Sequence, residues 1–185
     1  MRYKNWLVVA ILLFLAGMML GLITPDSFVS LLAKDIAALQ DLSRTLAALP
    51  PLTTAILIFA KNASALLASF AFSPLLLLLP ILALTTNGWL LGWVSATILQ
   101  KNSVLLLLAG ILPHGIIEIP AFVIGEAAAL GFGSLVILSL FKKDVRSQVL
   151  PRFKTHVKYL LLALALLIPA AFIEAFVTPL LIKGA

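Results

Sequence analysis

Long apolar stretches broken by short polar ones organise this chain, and their lengths suit a bilayer rather than a soluble core. Residues 6–23 carry no charge, follow Arg2 and Lys4, and place Trp6 as an interfacial anchor. The run is long for a secretory signal, and no small-x-small cleavage site precedes Thr24-Pro25, so it reads as an uncleaved first span. The period then changes. Phe28, Leu32, Ile36, Leu39, Leu42, Leu46 and Leu49 recur every three or four positions, with Lys34, Asp41 and Arg44 on the other side. This pattern predicts an amphipathic helix over residues 27–48, capped by Asp26 or Ser27 and lying on the membrane surface or over the bundle. Pro50-Pro51 ends it. Residues 52–72 and 74–99 predict a second and a third span. Lys61-Asn62 falls near the middle of the second; Pro80, Asn87-Gly88 and Gly92 lie in the third.

After the polar break Gln100-Lys101-Asn102-Ser103, residues 104–141 stay largely apolar. A straight helix of that length would measure about 57 Å at 1.5 Å per residue, against a hydrocarbon core of roughly 30 Å. The expectation is a break at Pro113 and Gly115, where proline removes a donor and glycine relaxes the backbone. It would leave a half-helix at 104–112 and a full span at 116–141, with Pro120 near the start of that span. Residues 159–182 form the last span and contain Pro169, Glu174 and Pro179.

Five spans with a cytoplasmic N-terminus put Arg2, Lys4, Lys142, Lys143, Arg146, Arg152, Lys154 and Lys158 inside. Lys34, Arg44, Lys101 and Lys183 then fall outside, in keeping with the positive-inside bias. The 142–158 segment is read as a solvated cytoplasmic loop that contains His156, and the C-terminus falls outside. Two full spans within 104–141 would put the densest basic segment, 142–158, on the wrong side, and that alternative is rejected.

Composition supports this class. Of 185 residues 63% are hydrophobic and 11% charged, against about 25% charged in soluble domains. The fold class is all-α: a polytopic transmembrane helical bundle forming one domain over residues 1–185. The absence of cysteine excludes disulfides, thiolate metal sites and a cysteine nucleophile. Much of the net charge of +6 arises in the 142–158 segment, so it bears on orientation and on contact with anionic headgroups or an acidic partner, not on nucleic acid. No phosphate-binding loop or serine elbow is present.

The residues that could carry chemistry are those that lipid disfavours. A charge at bilayer depth costs roughly 2.5–3.5 kcal/mol on insertion scales. His114 and Glu118 are four apart and share a helix face. An imidazole and a carboxylate so spaced can ligate a metal, pass a proton or hydrogen-bond to each other. Two ligands do not complete a zinc site. A third would come from Asn62, Asn87, Glu126 or Glu174, and Glu126 lies two turns beyond Glu118. The candidate polar cluster therefore comprises His114, Glu118, Asn62, Asn87, Lys61 and Glu126, with Pro113, Gly115 and Pro120 as the helix break. It is read first as a structural polar network and then as an ion or proton path, a metal site on His114 and Glu118, or a hydrolytic site. No cofactor is called for; a metal ion stays open.

Three segments carry a resemblance to a known family: Ile58-Phe59-Ala60-Lys61-Asn62; Thr86-Asn87-Gly88-Trp89-Leu90-Leu91-Gly92; and Leu112-Pro113-His114-Gly115-Ile116-Ile117-Glu118-Ile119-Pro120-Ala121 followed by a glycine-rich run. The chain resembles the stage II sporulation protein M family of integral membrane proteins. Asn62, Asn87, Gly88, His114, Gly115, Glu118 and Pro120 match its pattern. The resemblance implies a role rather than a reaction. In spore formers the family member is a membrane scaffold that recruits peptidoglycan-degrading partners.

The expectation is a non-enzymatic multi-pass protein of the cell membrane that recruits membrane or cell-envelope proteins. The alternative is a transporter or ion-translocating protein using the His/Glu/Asn site. The pairs Gly17-x-x-x-Gly21 and Gly88-x-x-x-Gly92 fit contacts within one chain or in a homo-oligomer equally well.

Overall fold

A computed structural model of the chain describes residues 3–25, 34, 37–38, 41, 44–45, 48–75, 77–101 and 104–184; the side chains of Lys101, His114, Lys183 and Gly184 are outside this description. Its elements are α1 (Tyr3–Leu22), α2 (Pro51–Phe72), α3 (Leu78–Lys101), α4 (Val104–Phe141), α5 (Lys143–Phe176) and α6 (Thr178–Gly184). No strand occurs among the described residues. Five helices are long and apolar enough to cross a membrane. Most of the expected amphipathic helix at 27–48 lies outside the described residues. Asp41, Arg44 and Thr45 within it are helical, and Arg44 pairs with Asp41 at 3.3 Å.

α4 is the axis of the bundle. Two-thirds (67%) of its spanning window is buried, against 22% for α1 and for α3, whose other faces meet lipid. α5 packs along it most extensively, and α1, α2 and α3 complete the surround. Its composition permits this central place. Ala121, Ala127, Ala128 and Ala129 are fully buried, and the small residues let neighbouring backbones approach.

α4 is also where the structure departs from the sequence reading. It runs as one helix through Pro113, Gly115 and Pro120, so the expected break and separate half-helix at 104–112 do not form. The reason is the solvent. A proline in a continuous helix forfeits one backbone hydrogen bond, whereas a break in hydrocarbon strands several donors and acceptors. The excess length is accommodated at the end. Gly131 lies against Trp6 in the first turn of α1, so residues 132–141, about 15 Å of helix at 1.5 Å per residue, extend past it.

Three boundaries differ from expectation. α3 begins at Leu78 rather than 74, because residues 73–75 turn: Ser73 Oγ donates to the Phe70 carbonyl at 2.9 Å and Leu75 N–H to that of Phe72 at 3.0 Å. The 142–158 segment is not a loop. α5 starts at Lys143 and is helical throughout, as its Lys and Arg content permits, with Asp144 in the first turn. The last span is interrupted at Val177, after which α6 starts immediately before Pro179.

Candidate functional site

The spacing of Gly115, Glu118, Ile119 and Phe122 puts one α4 stripe, at i, i+3, i+4 and i+7, on the same face. That face lines a cavity of about 360 Å³. α2 contributes Lys61 and Asn62 to it, and α3 contributes Asn87. Asn62 Nδ2 donates to Glu118 Oε1 at 3.1 Å, joining α2 to α4 inside the bundle. Asn87 is exposed and donates locally to the Ala83 carbonyl at 2.8 Å, which leaves its amide oxygen directed by that bond. Lys61 is exposed at the rim, and Glu174 of α5 acts on it electrostatically. The remaining wall, including Phe14, Ile119, Phe122 and Leu167, is apolar.

The structure thus brings together Lys61, Asn62, Asn87 and Glu118. It does not bring in Glu126. That carboxyl sits about 12 Å further along α4 at 1.5 Å per residue. It is 1% exposed and accepts a hydrogen bond from Ser69 Oγ of α2 at 2.5 Å. The geometric reason was legible in the sequence: eight residues of helix carry a side chain too far to touch the same ligand as Glu118. The partner was not legible, since nothing marks Ser69 among the serines and threonines of the apolar runs. The backbone of His114 lies in α4 one turn before Glu118, and its side chain is outside the described residues.

The family model for Stage II sporulation protein M matches residues 10–179. The chain belongs to the Stage II sporulation protein M family. A stretch of 94 residues is also 36% identical to an uncharacterized protein of Methanocaldococcus jannaschii, covering 50% of this chain and 53% of that protein. The chain thus spans about half the length of this curated relative. No solved structure matches it.

As a member of the Stage II sporulation protein M family with five membrane-crossing helices, the protein is an integral, multi-pass membrane protein. The residues that carried the resemblance have different places. Asn62, Asn87, Gly115 and Glu118 line the cavity. Gly88 is instead a packing residue, pressed against α1 at the Phe14 carbonyl. Pro120 is exposed on α4.

A second buried polar group in this family member escaped the sequence reading. His156, expected in a solvated loop, is 6% exposed. Its ring faces Gly131 and lies 6.2 Å from that of Tyr3, which stacks on Tyr159 at 3.5 Å. His156 Nδ1 has no hydrogen-bond partner among the described residues. Among those residues no three His, Asp or Glu side chains gather closely enough to hold a metal ion. The cavity offers instead a carboxylate, an ammonium and two amides against an apolar wall. Such a set can hold a ligand by charge and hydrogen bonding.

Proposed function

We propose that this membrane protein binds a polar or amphipathic ligand in the cavity between α2, α3 and α4, as a carrier would. One observation carries the reading: Lys61 and Asn87 line the cavity and yet remain exposed. A purely structural network is sealed, because buried polar groups are retained only when mutually satisfied. Here a charge and an amide at bilayer depth are left accessible. Reconstitution into liposomes tests this. Solute movement or a ligand-dependent rise in Tm is expected, with loss of both in a folded Glu118→Gln variant. Equal responses from wild type and variant would sink the reading.

A second reading has its own support. The α4–α5 hairpin extends past the start of α1 and carries exposed Leu140, Phe141 and Leu150 among Lys142, Lys143 and Lys154. Such a tip suits recruitment of a partner protein, the scaffold role that the family resemblance implies for peptidoglycan-degrading partners in spore formers. A scaffold would keep its partner in pull-downs with Glu118→Gln and lose it with Phe141→Ser. The positive-inside count supports a cytoplasmic N-terminus and 142–158 segment, with the C-terminus outside. On that orientation the hairpin would meet a cytoplasmic partner, and a peptidoglycan-degrading one would have to dock on the outer segments or through the membrane.

A further inference from the structure

Among the described residues, the helices around α4 leave one side open. α1 packs tightly on α3, and α2 packs on α5, but α2 and α3 scarcely touch. Three cavity-lining residues at this seam, Lys61 and Ala65 of α2 and Asn87 of α3, are exposed. On the same helices Ile56, Leu57, Leu67 and Leu82 are exposed too, which sets the seam among residues fit for acyl chains. The cavity therefore opens sideways into lipid. Its volume of about 360 Å³ falls within the range of about 300–1,000 Å³ usual for small-molecule sites.

Charge narrows the class of ligand. Glu118 and Lys61 line one cavity and have opposite sign. Asn62 holds Glu118 from within, and Glu174 supplies Lys61 with a counter-charge from outside the lining. A ligand of one sign would be attracted by one of the two lining charges and repelled by the other. A head with both signs complements both, and a hydrocarbon tail leaving through the α2–α3 seam stays in the bilayer.

We infer that the cavity takes the zwitterionic head of a bilayer lipid, its ammonium toward Glu118 and its phosphate toward Lys61. This rests on the ligand-binding reading above and adds the ligand's chemistry and its route of entry. The same amine-plus-phosphate chemistry exists in soluble form, so the test must separate the sources.

The full chain in uncharged detergent is titrated, with native mass spectrometry as readout, against phosphatidylethanolamine, phosphatidylglycerol and soluble glycerophosphoethanolamine. Phosphatidylethanolamine is expected to be retained about tenfold more tightly than phosphatidylglycerol, roughly 1.4 kcal/mol. Glycerophosphoethanolamine is expected to bind weakest of the three. Glu118→Gln and the rim variant Lys61→Met should each abolish the preference. Lys61 is exposed, so its variant keeps the test decisive if Glu118→Gln unfolds. Equal retention of both lipids, or a preference that survives Lys61→Met, overturns the inference. Preferential binding of glycerophosphoethanolamine overturns the lipid source. Ala65→Phe, which fills the cavity from its rim, separates the two levels. Where the wild type shows no head-group preference and Ala65→Phe blocks both lipids, the cavity binds amphiphiles and only the head chemistry is wrong. Should Ala65→Phe leave every titration unchanged, the ligand-binding reading itself fails.

Discussion

Gly88 of α3 faces the Phe14 carbonyl of α1 so closely that a side-chain methyl would overlap the oxygen. The relation repeats along the pair. Gly17 meets the Thr85 carbonyl, Gly21 that of Trp89, and Gly92 that of Met18. Four glycines thus bring two parallel helices into backbone contact, and Trp89 Nε1 closes the upper end by donating to Thr24 Oγ1 at 2.8 Å. The glycine pairs that fitted an intermolecular contact equally well are occupied within one chain. A second copy would have to pack on another face.

Gly88→Ala should therefore destabilise the protein, because the obstacle is backbone and cannot rotate away. Overpacking of this kind costs about 1–3 kcal/mol. Gly110→Ala is the control, since among the described residues a methyl there would meet only Ile182 Cδ1 at 3.9 Å. Unfolding in mixed micelles should separate the two variants clearly. Equal midpoints would contradict the close approach of α1 and α3.

Gly131 makes a different case. A methyl at that position would strike the His156 ring, a side chain, with Trp6 Cδ1 beyond it at 3.0 Å. Gly131→Ala should lower Tm, and adding His156→Ala should restore part of the loss. A double-mutant cycle measures the coupling, expected at about 0.5–3 kcal/mol. Strictly additive effects would mean that the two residues do not share the space.

Two of the intramembrane carboxyls, Glu126 and Glu118, should respond differently to loss of their partners. Ser69→Ala removes the hydroxyl donor from the Glu126 carboxyl, which is 1% exposed, so it should cost about 1–3 kcal/mol, the penalty of an unsatisfied buried group. Asn62→Ala should cost less, because Glu118 is only partly buried and the adjoining cavity is open. Thermal unfolding of both single variants in one detergent decides the order, and the reverse order would count against the division into a sealed and an open site.

The chain's lack of cysteine makes orientation directly measurable. Single cysteines introduced by Lys154→Cys and Ile182→Cys should react with a membrane-impermeant maleimide from opposite sides, residue 154 from the cytoplasm. Reaction from the same side would contradict the odd number of crossings. Reaction of residue 154 from outside would reverse the proposed orientation.

How much of this was readable in advance follows from which interactions are local. Apolar runs near the thickness of a bilayer announced all five spans. The positions of His114, Glu118, Asn62 and Asn87 announced where lipid would be disfavoured, since each is anomalous in its own segment. The prolines of α4 were misleading for a physical reason. In water a freed carbonyl finds a solvent partner and a helix can end cheaply; in hydrocarbon it cannot, so the helix continues through Pro113 and Pro120. The basic segment misled in a similar way, because charge marks a side of the membrane without specifying a loop.

What the sequence determined by itself is the class of molecule, the number of crossings and the places where polar groups must be accommodated, because transfer free energy is set residue by residue. Only the tertiary structure decided which polar groups meet. It joined Asn62 to Glu118 and Ser69 to Glu126, buried His156 beneath Gly131, and pressed α1 against α3 on their glycines. Those pairings depend on helix rotation and depth, which are fixed by side-chain packing between segments distant in the chain rather than by the hydrophobicity of any one of them.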